Sequence, residues 1–279
     1  MFAPFIACLL LAGIMVYFGI HVLKREIIFI DIALAQIAAL GGVVTTVLHE
    51  FIHPHEGHAH HHEGEEGYMA YFLSLLFCTL AAGIFTLLKS KKIRIPMEAV
   101  IGIAYAVATT GAIIILDKGA GSDVHVHDML IGSILWVTWH QIINLSIVIA
   151  LVGAFHIIFR KKFIRLTDSY MDDCSMKNYM LWDFLFYLSF GIVIVKAVVV
   201  GGILTVFAFL IIPASISALL AVKWLPRMLI GLSAGAVVIL ASLYFAWDIN
   251  VPCSPLIIAG LGILLLVAAV LRKFIIKSE

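Results

Sequence analysis

Charged side chains are too scarce in this sequence to build a water-facing surface. Asp, Glu, Lys and Arg supply 13% of the 279 residues and apolar types 63%, where soluble domains carry about 25% and 45–50%. That shortage excludes a soluble fold for most of the chain and leaves lipid as its solvent. Neither sign of charge prevails: the net charge is +1. No basic patch exceeds a short loop, so a nucleic-acid partner is not expected. Cysteine is sparse too. Cys8, Cys78, Cys174 and Cys253 are scattered with no CxxC pair, which argues against a disulfide framework or a thiolate metal site. A G-x-x-x-x-G-K-[ST] phosphate loop is missing, so ATP hydrolysis by this chain itself is not expected. No basic segment precedes the apolar run Met1 to Val22, and no A-x-A pattern precedes Lys24. The run is therefore expected to be a retained span rather than a signal peptide.

What the sequence does have is a series of long apolar stretches. A membrane helix needs roughly 20 such residues to cross about 30 Å of hydrocarbon. Nine stretches qualify or nearly do, at about 3–23, 27–48, 68–88, 97–116, 129–159, 181–199, 201–221, 228–246 and 254–271. The fifth is long enough to be tilted or broken. The predicted fold is all-α, a polytopic transmembrane bundle of about nine spans forming one permease-like domain over 1–279.

Basic residues set the expected orientation, because Lys and Arg are retained in cytoplasmic loops. With the N-terminus outside, the inner segments hold Lys24, Arg25, Lys89, Lys91, Lys92, Arg94, Arg160, Lys161, Lys162, Arg165, Lys177, Lys223, Arg227, Arg272, Lys273 and Lys277, which is 16 of 18 basic residues. Only Lys118 falls outside, and Lys196 lies within a span. One miscounted helix would scramble this asymmetry. The expectation is N-out, C-in.

Histidines sort the other way. Nine of the twelve lie in two outer loops, HEFIHPHEGHAHHHEGEEG over 49–67 and DKGAGSDVHVHD over 117–128. Imidazole suits zinc, copper, nickel and iron, and carboxylates extend the range to manganese. His49, Glu50, His53, His55, His58, His60, His61 and His62, with His125 and His127 in the second loop, are candidate metal ligands for weak capture or sensing; a merely polar tether is the competing reading. His49-Glu50-Phe51-Ile52-His53 also matches H-E-x-x-H, the zinc-protease signature. Pro54 follows at once, no third ligand stands out, and so short a match is cheap in a histidine-dense segment.

Ionisable residues within spans usually face a bundle interior or an aqueous path. Asp31, Glu98 and Asp183 lie near span starts, where interfacial solvation or capping competes with that reading, and Lys196 can snorkel. His140 is deeper, beside Trp136, Trp139, Gln141 and Asn144. It is a path-lining candidate or a hydrogen-bonded core histidine. Ala33, Ala35, Ala38, Ala39, Gly41 and Gly42 thin one side of the second span and permit close helix contact. Gly201, Gly202 and Pro213 are expected to divide the sixth and seventh spans into short pieces, as around transport sites.

Four motifs in order resemble the permeases of zinc, manganese and iron ABC importers, the ABC-3 type. They are FIDIALAQIAALGG (Phe29 to Gly42), DMLIGSILWVT (Asp128 to Thr138), GGILTVFAFLIIPASISALL (Gly201 to Leu220) and DINVPCSPLIIAG (Asp248 to Gly260). Gln36 stands where many relatives carry histidine, and Ser254-Pro255 where Gly-Pro is usual. The resemblance implies a homodimer with cytoplasmic ABC ATPase subunits and an external metal-binding protein, in the bacterial inner membrane. It implies no resident cofactor, the divalent metal ion (zinc, manganese or iron) being the cargo. The inner connection 160–180 resembles the ATPase-coupling segment of relatives, with Thr167, Asp168 and Asp172 as its contacts. Alternating access would carry the ion past Asp31, Gln36, His140, Asn144, Pro213 and Ser215, and uncharged polar lining such as Gln36, Asn144, Ser215 and Ser217 is compatible with weak binding. Histidine density favours zinc. The rival class is a self-contained ZIP-like carrier, which usually sets paired His and Glu deep in two helices; here only His140 lies at depth.

Overall fold

The computed structural model describes residues 2–52, 63–90, 95–116, 134–170 and 178–277. Those residues form ten α-helices and one 3-10 turn, with no strand among them. The helices are α1 (Phe2–Arg25), α2 (Ile30–Ile52), α3 (Glu63–Ser90), α4 (Met97–Leu116), α5 (Trp139–Ile158), α6 (Arg160–Asp168), α7 (Tyr179–Gly201), α8 (Ile203–Leu220), α9 (Trp224–Ile249) and α10 (Cys253–Lys277). Eight are long and apolar enough to cross a membrane, all except α2 and α6. Helix α2 has 23 residues, and its apolar run among the described residues is Ile30–Thr45.

Helix ends are written in local chemistry. At the close of α1, the Ile27 N–H donates to the Val22 carbonyl and the Glu26 N–H to the Leu23 carbonyl, a Schellman ending. Glu26 occupies the left-handed position with φ 55°, where glycine is unstrained. Glu26→Gly is therefore expected to raise unfolding stability in detergent by about 0.5–1 kcal/mol, the left-handed penalty less the entropy of a glycine; SDS titration of the purified chain measures it. Between α7 and α8, Gly202 sits at φ 74° and its N–H donates to the Val198 carbonyl at 2.8 Å. Helix α9 ends on Asn250 in the left-handed region.

The fifth apolar stretch is not one helix. A 3-10 turn covers Ile134–Trp136, and α5 starts only at Trp139, capped by Thr138. The Gln141 N–H donates to Thr138 Oγ1, and Gln141 Oε1 accepts from the Thr138 N–H at 2.9 Å, a reciprocal capping box. The expected division around Gly201 to Pro213 holds only at the glycines. Helix α8 runs through Pro213. Pro213 is buried, and neighbouring helices make such a residue tolerable in a membrane helix.

Two compact units divide the chain. In the first (1–28, 127–174 and 196–279), α1 and α8 form the core: α1 packs on α8 and α9, and α8 also meets α9 and α10. Val16, Ile20 and Ala214 make one apolar cluster, backed by Leu23, Trp224 and Met228. Glycines set the spacing. A Cβ on Gly19 would run into the Leu210 carbonyl oxygen and lie 2.9 Å from Ala214 Cβ; one on Gly231 would lie 2.6 Å from Val16 Cγ1. Close backbone approach of this kind replaces the hydrophobic drive that is weak between helices in lipid. Trp136, Trp139 and Trp247 are exposed on this unit.

In the second unit (29–126 and 175–195), α2 packs against α3 and α4. The small residues of α2 make this possible. A Cβ on Gly41 would lie 2.8 Å from Ser74 Cα, and the Ser74 hydroxyl donates to the Ala38 carbonyl at 2.7 Å.

Candidate functional site

The densest polar constellation among the described residues lies where α1 ends against α6. Helix α6 follows α5 directly, Phe159 closing one helix and opening the next. Its cationic side chains Arg160, Lys161 and Lys162 leave Phe163, Leu166 and Thr167 to form the buried face. On α1, Tyr17, His21, Lys24 and Arg25 fall at i, i+4, i+7 and i+8, one stripe of the helix. Tyr17 meets the end of α5, and the other three meet α6. Tyr17 Oη and His156 Nδ1 are 2.8 Å apart, His21 Nδ1 and Thr167 Oγ1 2.7 Å. Arg25 Nε donates to Thr167 Oγ1 at 3.0 Å, and Lys24 Nζ pairs with Asp168 Oδ1 at 2.6 Å. His156 stacks flat on Phe163 at 4.0 Å, and Arg25 lies over the Tyr170 ring.

Thr167 thus turns inward to α1 and is buried, while Asp168 is 45% exposed. Asp172 lies outside the described residues. Sequence reasoning counted Lys24 and Arg25 as topology markers and gave His21 no role. The signal was available: a histidine and two cations at i, i+3 and i+4 share a face, and that face needs polar partners once its helix is buried.

The path candidates are spread over both units. In the first, His140 Nδ1 and Asn144 Nδ2 lie 3.3 Å apart on an exposed face of α5, alongside Trp136, Trp139, Ile143 and Ile147. Pro213 is buried in α8 and Ser215 half-buried on the same helix. In the second, Asp31 in the first turn of α2 is buried at 2% exposure, with no hydrogen-bond partner for Oδ1 among the described residues; Gln36 is half-buried. His49 and Glu50 sit on the last turn of α2, but their side chains lie outside the described set. So do His53, His55, His58, His60, His61, His62, His125 and His127 entirely. Among the described residues, no three His, Cys, Asp or Glu side chains converge as metal ligands.

The chain matches the family model of the ABC 3 transport family over residues 1–272. It belongs to the ABC 3 transport family. The resemblance drawn from the four motifs therefore holds, and with eight long apolar helices this ABC 3 chain is a multi-pass protein of the bacterial plasma membrane. It is similar to the manganese transport system membrane protein MntC of Listeria monocytogenes, 29% identical over 186 residues, or 65% of each chain. The protein of the same name from Listeria innocua is 28% identical over 186 residues, again 65% of each. The match thus spans a little under two thirds of the length of these curated relatives. PsaBC from Streptococcus pneumoniae, solved in complex with Fab, has a similar fold, with TM-score 0.73, 18% identity, and coverage of 95% of this ABC 3 chain and 89% of that one.

Proposed function

We propose that this chain is the membrane-spanning permease of an ATP-driven importer of divalent transition-metal ions. The reading rests on the family match across residues 1–272 of a chain with eight long apolar helices. It works as a homodimer, with ABC ATPase subunits on the cytoplasmic side and a metal-binding protein outside, N-terminus out. The distribution of Lys and Arg supports that orientation. The exposed His140–Asn144 pair supports a covered or aqueous surface on α5, since polar side chains are costly against hydrocarbon. No permanent cofactor is invoked.

Two observations bear on the ion. The histidine-dense loop 49–67 favours zinc, while the named relatives are manganese transport proteins. Proteoliposomes containing the permease, its ATPase and the binding protein, loaded in turn with Mn2+ and Zn2+, separate them. Import is expected only with ATP and the ATPase present. A permease that moves either ion alone, down its gradient, would instead be the self-contained ZIP-like carrier.

A further inference from the structure

We propose that the Thr167 hydroxyl locks α6 to the last turn of α1, so that the two helices move as one body and deliver motion of the cytoplasmic face to α8 beside Pro213. The inference deepens the permease reading and rests on it for the source of the motion. Geometry supplies the lever. One stripe of α1 is engaged along its length by α5 and α6: Tyr17 by His156, His21 and Arg25 by Thr167, Lys24 by Asp168. Another face of α1 lies on α8 and α9, where Gly19 faces the Leu210 carbonyl and Ala214 Cβ and Val16 meets Gly231, itself beside the Pro213 carbonyl. Between the two faces α1 is an unbroken helix with a Schellman end, a stiff rod rather than a hinge.

Thr167 is the node because its one oxygen serves two α1 side chains that are themselves buried. Buried polar networks add little net stability over apolar packing, but they fix a single geometry and strengthen in low dielectric. An apolar contact at this position would let α6 slide along α1. The hydroxyl makes α6 and α1 answer to the same push. Thr167 is on this account a positioning residue, acting through Arg25 and His21, and not a surface contact for the ATPase.

The test uses the full complex in proteoliposomes and counts Mn2+ and Zn2+ ions imported per ATP hydrolysed. Thr167→Val keeps the shape and removes the oxygen. The ratio is expected to fall about tenfold, as for one charge-assisted hydrogen bond lost from a coupling step, and Thr167→Ser to restore it. A residue serving only as an anchor would reduce the yield of complex and leave the ratio untouched, which overturns the proposal. Amide hydrogen exchange on the full chain gives a readout free of transport, with protection over 17–25 and 160–168 expected to drop together in Thr167→Val. Unchanged protection defeats the lock whatever the complex imports. A wild-type complex that imports neither ion defeats the permease reading and leaves the exchange result standing.

Discussion

Gly19→Ala is expected to destabilise the chain by at least about 3 kcal/mol, the upper range for overpacking a tight contact. The added methyl meets the Leu210 carbonyl oxygen and Ala214 Cβ. Neither can swing aside, because one is backbone and the other has no torsion to turn. Helix α1 must then lift from α8, and the Val16, Ile20 and Ala214 cluster opens with it. The contrast that isolates the cause is Gly102→Ala, where a Cβ would meet nothing within 4 Å. There the same exchange is expected to leave stability unchanged or raise it by about 0.5–1 kcal/mol, since glycine is the poorer helix former. SDS titration of the two variants in parallel decides the matter, and equal midpoints would refute close α1–α8 packing at Gly19.

Asp31→Asn is expected to separate stability from transport. The carboxyl is buried near the start of an apolar helix and Oδ1 lacks a hydrogen-bond partner among the described residues. A group of that kind costs free energy where it stands, and membrane spans retain such groups chiefly where an ion or proton passes. Replacing it with the isosteric amide is expected to leave the unfolding midpoint unchanged or raised. Ion import per folded copy is expected to fall about tenfold or more, the loss of one interaction with a charged group. Import at the wild-type rate from a less stable protein would assign Asp31 to structure alone.

The all-helical membrane architecture was legible in the sequence because long apolar stretches with few charges admit little but helices in lipid. Each apolar stretch contains a helix, and the family motifs ordered them. Hydropathy is blind to what happens inside an apolar run. It merged the 3-10 turn at Ile134–Trp136 with α5, although Thr138-Trp139-His140-Gln141 carries the Thr-x-x-Gln start signal in plain view. It also overrated Pro213: proline removes one backbone donor, but the buried surroundings of α8 keep the helix running. The constellation around Thr167 was half visible. The segment was singled out by its resemblance to the coupling segment of relatives, yet pairing Lys24 with Asp168 and Arg25 with Thr167 spans more than 140 positions, and no local pattern encodes a contact at that separation.

Helix α5 begins at the exposed indole of Trp139, with that of Trp136 in the turn before it, and ends where α6 begins. Its twenty residues measure about 30 Å at 1.5 Å per residue, the hydrocarbon thickness of an ordinary bilayer. Indoles settle at the headgroup level, so this helix has no spare length with which to absorb a change of lipid. A thicker or thinner membrane would shift its tilt and swing α6 with it. Acyl-chain composition thereby becomes a lever on the same helix that ATP is proposed to move.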